Sequence, residues 1–327
     1  YTVTQTLSGC TSAPSAATAV TVNPLPLTTP AVSPGTATVC NGGTTTITVT
    51  GSEAGVNYQL FIGATPVSGV VAGGGAINIV TNALTASGTV SVRATNPVTL
   101  CTALLTGTTA LTVNPIPGVP AITSPAGPVT QCVGSGTITL TSNTPANTNS
   151  WQWYKDGLAI VGATGSSYVV ADAVGSSGSY TVQAIGIAPT LCGSAQSGAR
   201  VITINALPLT SPAVSPGTAT VCNGGTTTIT VTGSEAGVNY QLFIGATPVS
   251  GVVAGGGAIN IVTNALTASG TVSVRATNPV TLCTILLTGT TTLTVNPIPG
   301  VPAITSPAGP VVQCEGTGNV ILTSDTP

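Results

Sequence analysis

Apolar and polar residues alternate with a period of two along most of this chain. Ile47 and Val49 stand against Thr46, Thr48 and Thr50; Val90 and Val92 against Ser91 and Arg93; Leu111 and Val113 against Thr112 and Asn114. That period belongs to half-buried strands, whose successive side chains face opposite sides of a sheet. Threonine and valine fit such a pleated surface well. Between the alternating stretches fall turn signals: Asn41-Gly42-Gly43, Gly51-Ser52, Gly73-Gly74-Gly75 and Ser87-Gly88. Beyond a single possible turn, no stretch carries helical periodicity. The pattern predicts an all-β protein.

The strand pattern repeats. Residues Leu25 to Pro115 recur as Leu207 to Pro297, with Thr29, Ala103 and Ala110 replaced by Ser211, Ile285 and Thr292. Ile116 to Pro145 recurs as Ile298 to Pro327, and cysteine spacings of about 91 residues reveal a shorter unit inside the longer one. The chain therefore divides into two alternating repeat types. Type A spans 25–115 and 207–297, and type B spans 116–206. Residues 1–24 match the C-terminal part of a type B unit, and 298–327 match its N-terminal part. The expected layout is a window on a longer array. A unit of this size with about seven short strands predicts a two-sheet sandwich.

Composition narrows the chemistry. The 327 residues include 4 Lys+Arg, 6 Asp+Glu and no His. Histidine-dependent nucleophilic catalysis and histidine-ligated metals are excluded. Four cations make no basic stripe, so nucleic acid is not expected as a partner. The carboxylates Glu53, Asp156, Asp172, Glu235, Glu315 and Asp325 are scattered singly. They suggest neither a paired-acid active site nor a calcium loop. No enzyme activity, cofactor or metal is expected. Thr, Gly, Pro or Asn interrupts every apolar run, so no membrane-spanning helix is expected either.

In type B, Trp151-Gln152-Trp153-Tyr154-Lys155-Asp156-Gly157 resembles strand C and the following turn of an immunoglobulin-like domain. Gly175-Ser176-Ser177-Gly178-Ser179-Tyr180-Thr181-Val182 resembles the turn into strand F, with Tyr180 at the tyrosine corner. The resemblance implies that Trp153 and Tyr180 are core residues, replaced in type A by Leu60 and Val90. It departs from the family at the core disulfide, where Leu140 and Val182 stand instead of cysteines. The implied architecture is a head-to-tail rod of tandem immunoglobulin-like β-sandwiches. The ordered set of Cys40-Asn41-Gly42, a later loop cysteine and Asn114-Pro115-Ile116-Pro117 also resembles the immunoglobulin-like and PKD-like repeats of giant secreted surface proteins of Bacteroidota. Many of those leave the cell by the type IX pathway and act as adhesins, filaments or coats.

Eight cysteines without His or Cys-x-x-Cys point to disulfides in an oxidising compartment. Pairing within repeats would join Cys40 to Cys101, Cys132 to Cys192 and Cys222 to Cys283. In the immunoglobulin-like topology, however, the start of strand B and the end of strand F lie some 20–25 Å apart, at roughly 3.3 Å per residue. A disulfide needs Cα atoms within about 7 Å. Pairing between repeats, Cys40–Cys192 and Cys132–Cys283, is preferred on that ground. Cys10, Cys101, Cys222 and Cys314 would then find partners in further repeats. A Cys101–Cys132 pairing, interchain bonds and free thiols remain as other schemes.

The linkers Asn23-Pro24-Leu25-Pro26, Asn114-Pro115-Ile116-Pro117 and Asn296-Pro297-Ile298-Pro299 favour extended, semi-rigid backbone. Asn205-Ala206-Leu207-Pro208 keeps one proline and is expected to bend more. The functional expectation is a structural segment of an extracellular filament, adhesin stalk or surface layer, assembling with copies of itself through nearly uncharged faces. The alternative is a module that binds surface glycans or a host ligand, with Tyr154 and Lys155 as the candidate surface.

Overall fold

The computed structural model describes residues 1–325; Thr326 and Pro327, at the end of the stretch 298–327, lie outside the described residues. Among the described residues, strands are the dominant regular structure, joined by turns and irregular segments, with one 3-10 turn at Val174–Ser176. The first 24 residues carry only a two-stranded ladder, β1 (Thr6–Leu7) with β2 (Cys10–Thr11).

The first type A repeat contains β3 (Ala31–Ser33), β4 (Thr36–Cys40), β5 (Thr46–Ser52), β6 (Asn57–Ile62), β7 (Thr65–Pro66), β8 (Val71–Ala72), β9 (Gly75–Val80), β10 (Gly88–Thr95) and β11 (Thr102–Asn114). They form two sheets. One has the order β3-β5-β9; the other runs β4-β11-β10-β6-β7, with β8 on the flank of β6. The leading segment thus serves both sheets. β3 runs antiparallel to β5, and after the turn at Pro34-Gly35 β4 runs parallel to the final strand, pairing Thr36 with Ala110 and Cys40 with Asn114. This crossing of the first strand between sheets, with a parallel closing ladder, is the immunoglobulin-like sandwich topology.

Alternation determines which residues fill the space between the sheets. Ile47 and Val49 from β5, Tyr58 and Leu60 from β6, Ile79 from β9 and Val90 and Val92 from β10 are fully buried. Each buried aliphatic or aromatic side chain contributes about 1.5–3 kcal/mol. Gly73 is tied to this core by close approach. A Cβ there would lie 2.6 Å from Cε2 of Tyr58, so only glycine admits the ring. The second type A repeat repeats the nine strands as β21 to β29, each boundary shifted by 182 residues, from β21 (Ala213–Ser215) to β29 (Thr284–Asn296).

The type B repeat contains β12 (Ile122–Ser124), β13 (Val129–Cys132), β14 (Ile138–Ser142), β15 (Ser150–Lys155), β16 (Leu158–Ala159), β17 (Ser167–Val170), β18 (Gly178–Ile185), β19 (Gly193–Gln196) and β20 (Arg200–Asn205). β13 runs parallel to β20, as β4 does to β11. β15 pairs antiparallel with β18 and β16, and β19 with β18. The type B core centres on Trp153, fully buried, with Tyr168 at 6.2 Å between ring centroids and Tyr180 at 6.0 Å from Tyr168. The indole N–H of Trp153 donates to the carbonyl of Gly165 at 2.9 Å, so its one polar atom is satisfied.

The chain is all-β and consists of tandem immunoglobulin-like β-sandwiches. Its described residues form two compact units. The first holds 1–128, 139–170 and 178–201; the second holds 129–138, 171–177 and 202–325. Each unit contains one type A repeat, and type B residues contribute to both. Residues 298–325 carry a short ladder between β30 (Ile304–Ser306) and β31 (Thr323–Ser324).

Candidate functional site: disulfide joints and sheet faces

Within the first unit, Cys40 is bonded to Cys192 with Cα atoms 5.6 Å apart. Within the second, Cys132 is bonded to Cys283 at 5.7 Å. Each bond joins the end of a parallel-paired strand in one repeat to a loop of the next repeat along the chain. Both distances lie inside the range that disulfides span without backbone movement. Cys10, Cys101, Cys222 and Cys314 are unbonded.

The local sequence prepares each half of a joint. On the strand side, Cys40 pairs with Asn114, Asn41 N–H donates to the Asn114 carbonyl at 2.8 Å, and Gly43 N–H donates to the Cys40 carbonyl at 2.7 Å. Gly42, at φ +82°, lets the chain reverse immediately after the cysteine. On the loop side, each cysteine follows a leucine in the left-handed region: Leu100 and Leu282 at φ +60° and Leu191 at φ +46°. In the second type A repeat the loop is held by Asn278. Its Oδ1 accepts from the N–H groups of Val280 at 2.9 Å and Thr281 at 3.1 Å, and Leu282 N–H donates to its carbonyl. The Asn-Pro-Val-Thr-Leu-Cys sequence is therefore an asparagine-anchored turn that ends at its cysteine.

The first joint has noncovalent support. Asn114 Nδ2 donates to Thr190 Oγ1 at 2.8 Å, and the ring of Pro117 passes over Gly186, where a Cβ would sit 3.5 Å away. Pro117 and its counterpart Pro208 are both buried, so the linker with one proline keeps the one that packs. The bonded loop cysteines are buried, Cys192 at 2% and Cys283 at 0% exposure, whereas Cys222 is exposed and Cys101 half-buried.

The carboxylates have structural work that their scatter in the sequence conceals. Glu53 Oε2 accepts the Leu27 N–H at 3.1 Å, and Glu235 accepts that of Leu209 at 3.0 Å, fixing the chain as it enters each type A repeat. Asp172 Oδ2 accepts from Gly134 and Gly136, and Asp156 Oδ1 accepts from Ser179. Sequence reasoning also missed Tyr58 and Tyr240. Both rings are fully buried, and each hydroxyl accepts the backbone N–H of Glu53 or Glu235 at 2.8 Å. The signal was present: Tyr58 shares the face of Leu60 two residues away, as Trp151 shares that of Trp153.

Leu60 and Val90 are fully buried, and Tyr180 is 2% exposed. Burial pushes the Tyr180 phenol up to about 12, with Tyr168 and the Asp156 carboxylate adding to the effect. Tyr154 is half-buried and its hydroxyl is committed, donating to Gln183 Oε1 at 2.8 Å. Lys155 is half-buried and engaged with neighbouring groups. Asp156-Gly157 turns the hairpin from β15 to β16, both residues at positive φ. Each type A repeat carries an equivalent shallow groove, of about 330 Å³ in the first and 350 Å³ in the second. Both are lined by uncharged residues such as Ile62, Pro66, Asn82 and Leu84. Among the described residues, no group of three or more acids or cysteines is placed to hold a metal ion. Among the described residues, no helix is long and apolar enough to cross a membrane.

No family model and no curated protein matches the sequence. Among solved structures, the chain is similar to three immunoglobulin domains of titin, I67–I69, at 12% identity and a TM-score of 0.42, covering 79% of this chain and 95% of that one. It is also similar to three N-terminal domains of the Hoc capsid protein of bacteriophage RB49, at 14% identity and 0.32, covering 82% and 99%. The D1–D4 ectodomain of ICAM-5 matches at 12% and 0.32, covering 85% and 80%. At such scores the comparison adds nothing to the strand order, which carries the fold assignment.

Proposed function

We propose that this chain is a structural repeat segment of an extracellular filament, adhesin stalk or cell-surface layer. The domains are taken as 25–115, 116–206 and 207–297, flanked by parts of further type B domains at 1–24 and 298–327. One observation carries the reading: both disulfides tie a repeat to its neighbour across a proline-containing linker, so tension along the chain meets covalent bonds at the joints. Such bonds persist in oxidising, extracytoplasmic surroundings. With a formal net charge of −2 over 327 residues, copies meet little long-range repulsion, and lateral self-association follows. The attribution to secreted surface proteins of Bacteroidota and the type IX pathway rests on the sequence resemblance alone.

Electron microscopy of the native material tests the assembly, with fibres or sheets expected and dispersed single particles refuting it. Non-reducing peptide mapping tests the joints. A peptide linking Cys40 to Cys101 in place of Cys192 would overturn the joint between repeats.

A further inference from the structure

Each type A repeat contains one cation and one anion, and they do not pair. In the first, the Glu53 carboxylate is committed to the Leu27 N–H. The Arg93 guanidinium lies over Phe61, with Cζ 3.7 Å from its ring centroid, and forms no hydrogen bond or ion pair with the described residues. Arg275 lies over Phe243 in the same way at 3.8 Å. Phe61 is 4% exposed yet belongs to no core cluster. Its ring lies on the outward face of β6, covered by the arginine. Arg93 is therefore held in place with its planar N–H donors unspent.

The register places neutral hydrogen-bonding groups around it. Arg93 stands opposite Gln59, whose Nε2 already donates to the Ser68 carbonyl at 2.9 Å and whose Oε1 is left as an acceptor, and Thr95 stands opposite Asn57. Opposite Arg93 on the other side is Leu104, 57% exposed. In the second type A repeat, Asn239, Tyr240, Gln241, Val252 and Thr277 line a shallow cavity of about 210 Å³, and Gln241 is the register partner of Arg275. Type B closes the equivalent position. Tyr154 replaces the phenylalanine and Gln183 the arginine; the tyrosine hydroxyl bonds Gln183 Oε1, and Gln183 Nε2 donates to the Ser194 carbonyl at 2.6 Å.

We propose that this face of each type A repeat binds an acidic polysaccharide. The guanidinium takes a uronate carboxylate through paired N–H donors, while the amide and threonine groups meet sugar hydroxyls. Charge complementarity argues for an anion, because the repeat offers this cation no internal partner. The flanking groups argue for a sugar, since neither a second cation nor a broad apolar patch adjoins the arginine. A single such contact is weak. Two copies on one chain gain avidity only for a polymer that repeats its carboxylate.

The test uses the full chain and immobilised polygalacturonate, with dextran as the neutral control and polyglutamate as the acidic polypeptide. The expected result is salt-sensitive binding to polygalacturonate and none to dextran. Arg93→Gln combined with Arg275→Gln is expected to lower apparent affinity at least tenfold, with smaller losses for each single change. Tyr154→Phe in type B is expected to leave binding unchanged. If the double glutamine variant loses its melting transition, Arg93→Lys with Arg275→Lys decides: it keeps the charge but not the fork, and a several-fold loss is expected. Unchanged binding in the folded variants, no binding by the unmodified chain, or binding to polyglutamate alone would each overturn the proposal.

Discussion

The two type A repeats differ at three positions, yet they use opposite cysteines. The first bonds its strand-end Cys40 and leaves its loop Cys101 free; the second bonds its loop Cys283 and leaves Cys222 free. Local geometry does not separate the bonded from the unbonded. Leu100 and Leu282 share a φ of +60°, and Asn96 and Asn278 close their loops onto Cys101 and Cys283 at 3.0 and 2.9 Å. On the strand side, Asn41 and Asn223 make the same 2.8 Å bond to Asn114 and Asn296. Short-range sequence therefore shapes each half-joint, and the neighbouring repeat decides whether it is used. Both used halves meet a cysteine of type B.

Removing a used cysteine separates the copies most strongly. Cys283→Ser is expected to destabilise the joined repeats by about 2–4 kcal/mol, measured by denaturant unfolding under non-reducing conditions. An equal loss from Cys222→Ser would break the distinction.

Alkaline titration comes next and sets type B apart. A buried neutral phenol whose folded value is raised to about 12 stabilises fully below pH 10, where unfolded tyrosine begins to ionise. That contribution is lost as pH rises through 10 towards 12, by on the order of 2–3 kcal/mol. Tyr180→Phe is expected to flatten this part of the pH–stability profile, and an unchanged profile would contradict the assignment.

Tyr58→Phe and Tyr240→Phe probe the likeness of the two copies. Each leaves a glutamate N–H without its acceptor and is expected to cost about 1–2 kcal/mol. The two losses are expected to agree, and melting of the single variants checks this. The smallest effect is expected for Cys101→Ser, within about 0.5 kcal/mol, since the half-buried thiol bonds nothing.

Much of the architecture was legible in the residues. Alternation at Ile47-Thr48-Val49 and Val90-Ser91-Val92 marks strands because a pleated sheet with one buried face admits little else. The roles of the acids were not legible. Glu53 reads as a lone surface charge until the sandwich carries Leu27 beside it, 26 positions away in sequence. Arg93 and Phe61 likewise sit 32 positions apart and meet only through the register of β10 against β6. Tyr58, by contrast, was legible, since it shares the face of Leu60, which the resemblance already places in the core.

The sequence by itself determined the strands, the turns, the repeat period and the shape of each cysteine-bearing loop, since all of these follow from interactions within a few residues. The pairs Cys40–Cys192 and Cys132–Cys283 could be preferred from an expected strand topology, but only the tertiary structure brings them to bonding distance, and it alone decided which carboxylates hold backbone and which arginines keep their donors free. Those outcomes depend on the distance between groups far apart in the chain, and near-identical local sequences such as those around Cys40 and Cys222 cannot encode different distances.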